Sequence, residues 1–174
     1  MSDFRSGFVA IVGRPNVGKS TLINALVGSK IAITSHHPNT TRTAIRGIVH
    51  GDSFQAVLVD TPGVHKPKTL LGQRLNQVVD QSMDSVDIVI MCIPADETSG
   101  AGDTFIAQEI AKHPGAKKFA VITKTDLIAK EKLAIRLLGI MKIAEGFAWD
   151  EIIPVSAAIH DQVDLLNELI GKNL

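Results

Sequence analysis

The eight residues GRPNVGKS, from Gly13 to Ser20, restrict the fold more than any other part of this 174-residue chain. They satisfy G-x-x-x-x-G-K-[ST] in full and directly follow the apolar run GFVAIV (7–12). Downstream, Leu22, Ile23, Leu26 and Val27 fall at helical spacing. Such a strand–loop–helix unit is built to hold phosphate. Glycines let backbone N–H groups approach the phosphates, and the N-terminal end of a helix favours negative charge. Lys19 can reach the β- and γ-phosphates, and the Ser20 hydroxyl can ligate Mg²⁺. A plain glycine-rich turn would not need all four fixed positions in this context.

Further apolar runs too short for helices recur at QAVLVD (55–60), DIVIMCI (87–93), KFAVIT (118–123) and EIIPV (151–155). They are rich in Val and Ile and continuous rather than alternating, as expected of strands covered on both faces. Helical spacing separates them over Ser20–Val27, Leu70–Met83, Asp103–Ala111, Lys130–Ile140 and Asp161–Ile170. Gly51-Asp52 lies between two extended segments, 43–50 and 55–60, and predicts a hairpin with one antiparallel strand at a sheet edge. The chain is therefore expected to be a single α/β domain spanning residues 1–174, with a mostly parallel sheet of six strands and helices on both faces. In that architecture the ligand site lies at the carboxyl ends of the strands.

Composition narrows the functional classes. The chain has 18 Lys+Arg and 18 Asp+Glu, so the basic surplus usual in a nucleic-acid-binding domain is absent. The single cysteine, Cys92, sits in an apolar run and reads as a buried small hydrophobe, without an internal disulfide. No apolar stretch is long enough to span a membrane, and the start MSDFRSGF does not resemble a signal peptide. A cytoplasmic location is the expectation.

Three more segments belong with the phosphate loop. DTPG (60–63) ends a strand, where Asp60 can hold a metal through water and Gly63 can bring its N–H to a γ-phosphate. The same four residues would also make an ordinary turn. The hydroxyl-rich loop before residue 43 offers Thr40 and Thr41 as further Mg²⁺ ligands; His36 and His37 on that loop read as solvent-exposed rather than metal-binding. TKTD (123–126) follows a strand and reads as part of a purine site, although Thr123 stands where asparagine is usual.

Taken in order, GRPNVGKS, TTR (40–42), DTPG, TKTD and VSA (155–157) resemble the Ras-like, translation-factor-class GTPases. GRPNVGKSTLINALVG, KIAITS, NTTRTAIRGI and VDTPGVHKP are similar, more closely still, to the Era GTPases, bacterial ribosome-assembly factors. The similarity runs over essentially the whole sequence. It implies a P-loop G domain that binds GTP and GDP with Mg²⁺ and acts in assembly of the small (30S) ribosomal subunit. Era proteins carry a KH domain that binds 16S rRNA, and no KH signature is present here. The resemblance thus predicts a GTPase domain separated from that RNA-binding partner domain. It also brings the family's peripheral association with the inner face of the cell membrane into view, without a transmembrane segment.

The resemblance assigns roles residue by residue. Gly13, Arg14, Pro15, Asn16, Val17, Gly18, Lys19, Ser20 and Thr21 would surround the phosphates. Ser20 and Thr41 would ligate Mg²⁺, Thr41 being favoured over Thr40 because it directly precedes Arg42, and Asp60 would hold the ion through water. Asp60, Thr61, Pro62, Gly63 and Val64 would sense the γ-phosphate, with Lys19, Thr41 and Gly63 catalytic. Asn16 matches an asparagine that helps hold K⁺ in potassium-activated relatives. Val64 replaces the glutamine that orients water in Ras-type enzymes, and an apolar side chain cannot do that. Slow intrinsic turnover is the expectation, with His65 the nearest polar alternative.

For the base, Asp126 can accept from guanine N1–H and N2–H₂, donors that adenine lacks on that edge. The Lys124 stem would lie across the base, Thr125 belongs to the same turn, and Ser156-Ala157 would supply an N–H to O6. Thr123 is too short for the direct N7 contact of asparagine. Two other classes compete with a GTP-hydrolysing switch. One is a nucleotide-gated binding module without useful hydrolysis, which Val64 favours. The other is a P-loop ATPase or small-molecule kinase, for which neither an adenine pocket nor a lid has a signature here.

Overall fold

A computed structural model describes residues 4–28, 44–60, 83–143 and 147–174. Six strands form one sheet: β1 (Arg5–Val12), β2 (Ala44–His50), β3 (Phe54–Asp60), β4 (Ile88–Pro94), β5 (Lys117–Thr123) and β6 (Glu151–Pro154). Their spatial order is β2-β3-β1-β4-β5-β6. β2 runs antiparallel to β3, and every other neighbouring pair is parallel. The expected hairpin and antiparallel edge strand are therefore present. A register shift between Ile45 and Gly47 kinks the edge strand, as a bulge does when it adds twist at a sheet edge.

The described helices are α1 (Lys19–Val27), α2 (Ala101–Ala111), α3 (Lys130–Met141) and α4 (Val163–Asn173). The helix expected over Leu70–Met83 falls, but for Met83, outside the described residues. Alternate residues of the strands feed two cores. Val9, Ile11, Ile90 and Phe119 pack with α1 and α4 through Leu22, Leu26, Leu166 and Ile170. Ala10, Val12, Met91 and Ile122 pack on the other face with Ile106 and Ile110 of α2 and Ile140 of α3. β4 is buried along its full length, which is why its sequence shows no alternation. Parallel neighbours on both sides align the carboxyl ends of β1, β4 and β5 at one edge, where the loops that follow must converge.

Two helix starts differ from the sequence expectation by two residues, each for a local reason. α2 begins two residues before Asp103 because that residue sits in its first turn and reaches back. The Gly100 N–H donates to Asp103 Oδ2 at 3.0 Å, satisfying a donor that the helix start leaves open. α4 begins at Val163 rather than Asp161, because Asp161 pairs with Ser156 across a bridge of two backbone hydrogen bonds, at 3.1 and 2.9 Å. Gln162 then turns the chain with φ 61°.

Candidate nucleotide-binding site

The loop between β1 and α1 takes its shape from backbone conformations that few residue types adopt. Asn16 has φ 62° and Gly18 has φ 96°, left-handed values natural to Asn and Gly. Gly13 is required for a second reason: a Cβ there would lie 2.8 Å from the Cys92 carbonyl oxygen of β4. The loop is thereby pressed against the end of the neighbouring strand. Lys19 Nζ donates to the carbonyls of Gly13 at 2.9 Å and Arg14 at 2.7 Å. The ammonium therefore sits inside the curl of the loop, where an oxyanion would meet it. Cys92 itself is buried, and burial pushes its thiol up to about 12 although Lys19 pulls it the other way.

The Arg14 side chain is engaged away from the phosphate loop. Its Nε donates to Asp103 Oδ1 at 2.9 Å and its Nη2 to Glu97 at 3.1 Å. The bond to Asp103, more than any other influence, holds the Arg14 guanidinium above its ordinary pKa. Arg14 serves the loop through its carbonyl, while its side chain ties the loop to the start of α2. Asp103 is fully buried, so this anchor is well shielded from solvent.

A second segment, after β5, stands beside this loop. Lys124 has φ 58°, and a short 3₁₀ turn over Thr125–Leu127 follows. This sharp reversal presents Asp126 at the surface. Ser156 is fully buried, and its hydroxyl donates to Asp126 Oδ1 at 2.5 Å. The Ser156–Asp161 bridge fixes the serine in turn. The sequence had placed Ser156 at the base site without this bracing role.

Thr123 is buried, and its hydroxyl donates to the Val17 carbonyl at 2.5 Å. The substitution of threonine for asparagine therefore keeps the link between base loop and phosphate loop. The single hydroxyl proton is engaged there, so none remains for a purine N7.

These segments enclose a cavity of about 230 Å³ lined by Gly18, Thr21, Leu22, Thr123, Lys124, Asp126, Leu127, Val155, Ala157 and Ala158. A second cavity of about 340 Å³ is lined by Asn16, Gly18, Lys19, Ser20, Thr21 and Lys124. The two share Gly18, Thr21 and Lys124. A largely apolar chamber with a carboxylate at its edge thus adjoins a polar one built on a helix start. Ser20 is exposed at the second cavity, and Asp60 ends β3 in register with Ile11 of β1. Thr40, Thr41, Thr61, Pro62, Gly63, Val64, His36, His37 and His65 lie outside the described residues.

Residues 8–124 match the family described as 50S ribosome-binding GTPase. The chain belongs to this family. A GTPase Era of Nocardioides sp. is 55% identical over 95% of the chain, which corresponds to 54% of that relative. A GTPase Era of Mycolicibacterium smegmatis is 52% identical over 100% of the chain and 58% of the relative. Among solved structures, an Aquifex aeolicus Era variant bound to GDP and AlF₄⁻ has a TM-score of 0.78 at 34% identity, covering 97% of this chain and 57% of that one. An Era in complex with MgGDPNP and nucleotides 1506–1542 of 16S ribosomal RNA gives 0.80 at 34% identity, covering 98% and 57%. These relatives bear out the Era resemblance read from the motifs, and the G-domain fold with it. The chain spans about half the length of the curated relatives it matches.

Proposed function

We propose that this chain is the nucleotide switch of an Era-type protein, binding GTP and GDP and hydrolysing GTP to GDP and phosphate. One observation carries the reading: the base chamber and phosphate chamber are contiguous through Gly18, Thr21 and Lys124. Guanine suits the first chamber because Asp126, braced by Ser156, offers acceptors to N1–H and N2–H₂, with Ala157 also in the lining. Adenine would offer that carboxylate neither donor, leaving the acceptors that Ser156 does not use unpaired. The triphosphate suits the second chamber, where Lys19 can exchange loop carbonyls for charged phosphate oxygens. Charge-assisted hydrogen bonds of that kind are stronger than those to neutral carbonyls.

The Ser20 hydroxyl would hold Mg²⁺, with Asp60 through water and Thr41 completing the shell. An ion held there would supply positive charge against the charge that develops on the phosphate oxygens. Asn16 is the residue we assign to a K⁺ ion, and Gly63 the N–H donor to the γ-phosphate. With Val64 in place of glutamine, turnover by the domain alone is slow. By analogy with the solved Era bound to a 16S rRNA fragment, we assign the whole protein to small-subunit assembly. The 16S rRNA contact belongs to a KH domain outside this chain. The setting is the cytoplasm, with the membrane's inner face as a secondary location.

Single-turnover hydrolysis of GTP, measured in K⁺ and in Na⁺, tests the enzyme reading. Phosphate release above background is expected in K⁺. None in either salt would reduce the domain to a nucleotide-gated binding module. ATP competing with GDP as well as GTP does would instead indicate an ATPase or kinase.

A further inference from the structure

We propose that the protein carries a second anion site, separate from the nucleotide site, for a small phosphate-bearing ligand. It lies in the cleft between the loop after β4, the start of α2 and the end of α3. A cavity of about 390 Å³ there is lined by two cations, Arg136 and Lys142, and three hydroxyl residues, Thr98, Ser99 and Thr104. Among the described residues its lining contains no carboxylate and shares no residue with either nucleotide chamber. The acids nearest in sequence, Glu97 and Asp103, are both engaged by Arg14, at 3.1 and 2.9 Å. The described residues that line the cavity therefore carry the positive charge of its two cations.

Two donors at this place are unsatisfied. Ser99 Oγ and Arg136 Nε are shielded from solvent and have no hydrogen-bond partner. Buried polar groups in folded proteins are nearly always paired, and an orphan needs a physical reason. Both belong to residues that line the same cationic cavity, and pairing with a ligand's oxygens would supply that reason. Arg136 is also oriented in advance, since its Nη2 donates to the Pro94 carbonyl at 3.0 Å. That bond fixes the plane of the guanidinium, and a planar fork of donors suits a phosphate.

The set of donors suits a tetrahedral dianion: one guanidinium, one ammonium and the hydroxyls of Thr98 and Ser99, that of Thr104 being donated to the Gly100 carbonyl at 3.3 Å. The size suits more than the bare ion, because it falls in the range of small-molecule pockets, roughly 300–1,000 Å³. Gly139 contributes no side chain and Ile143 offers an apolar wall, which leaves room for a short organic group on the phosphate.

Residue-resolved NMR titration of the 174-residue chain separates this cleft from the P-loop. Inorganic phosphate and glycerol 3-phosphate are added in parallel, with sodium chloride at matched ionic strength. Saturable shifts are expected at the amides of Ser99, Thr104 and Gly139, independent of those at Gly18 and Lys19. Tighter binding of the monoester identifies a phosphorylated small molecule, and equal binding identifies free phosphate. Arg136→Met should weaken either ligand about tenfold, and Lys142→Ala, a surface change, by a few-fold. Shifts no larger than those in chloride would overturn the site. So would unchanged affinity in Lys142→Ala together with a folded Arg136→Met. An RNA oligonucleotide that displaced the monoester at lower concentration would overturn the assignment to a small ligand.

Discussion

The two ends of the nucleotide site hold their shape by different means. At the base end, side chains are locked to one another: Ser156 to Asp126, and Thr123 to the Val17 carbonyl. At the phosphate end, shape comes from backbone conformation at Asn16 and Gly18 and from the close approach of Gly13 to β4. Lys19 adds a functional side chain there, and its bonds are to carbonyls that phosphate oxygens can replace. On the proposed function, discrimination between bases would reside in preset side chains, whereas grip on phosphate would rest on loop shape and Lys19. Mutations at the two ends should accordingly fail in different ways.

The largest effect is expected at Asp126. Asp126→Asn exchanges two acceptors for an acceptor and a donor, and should shift preference from GTP towards xanthosine triphosphate by about a thousandfold. Competition binding with both nucleotides checks this, and an unchanged GTP preference would break the assignment of the base end. Gly13→Ala comes next and should behave otherwise. The added methyl meets the Cys92 carbonyl at 2.8 Å, so we expect about 3 kcal/mol lost from stability. GDP binding should fall with it, and urea denaturation beside calorimetric titration reads both.

Ser156→Ala should weaken GDP about tenfold while leaving phosphate-only binding unchanged, because a braced carboxylate becomes free to rotate. A comparable loss for pyrophosphate would erase the distinction between the ends. Thr123 offers a two-sided test. Thr123→Val leaves the Val17 carbonyl without its donor and should cost about 1–2 kcal/mol in stability. Thr123→Asn supplies an NH₂ with two donors, one for Val17 and one for purine N7, and should tighten GDP a few-fold by equilibrium dialysis.

The smallest effect lies away from both ends, at Asp150. Burial pushes this carboxyl up, but the Lys118 N–H at 2.8 Å and the Lys117 ammonium at 3.1 Å outweigh it and hold the group below its ordinary value. A depressed folded value stabilises above the unfolded carboxylate range of about 3.9 and is lost as pH falls through the folded value. Asp150→Asn should therefore lower the urea midpoint slightly at neutral pH and leave it unchanged in strong acid.

Most of the fold was legible because its strands and helices announce themselves locally. Val- and Ile-rich runs such as IVIMCIP and the glycine-spaced P-loop each carry their own signal. The hairpin at Gly51-Asp52 was readable for the same reason. What stayed hidden were contacts between distant segments. No local pattern pairs Arg14 with Asp103, 89 residues away, and a lone buried aspartate in a helix start reads only as a helix signal. Thr123 was legible as a departure, but its bond to Val17 depends on how close two loops pack. Ser156 was assigned to the base end from VSA, while its hydrogen bond to Asp126 required the turn that Lys124 makes.

The one cysteine has a practical consequence. Cys92 sits in the central strand directly behind Gly13, fully buried and with its thiol pushed up to about 12. Only the exposed thiolate reacts with alkylating reagents. In the native protein at neutral pH this sulfur is therefore silent, and it becomes reactive when the sheet opens. The rate of thiol trapping then reports the opening of the strand on which the phosphate loop rests. The protein carries a built-in clock for its own centre, readable without any introduced label site.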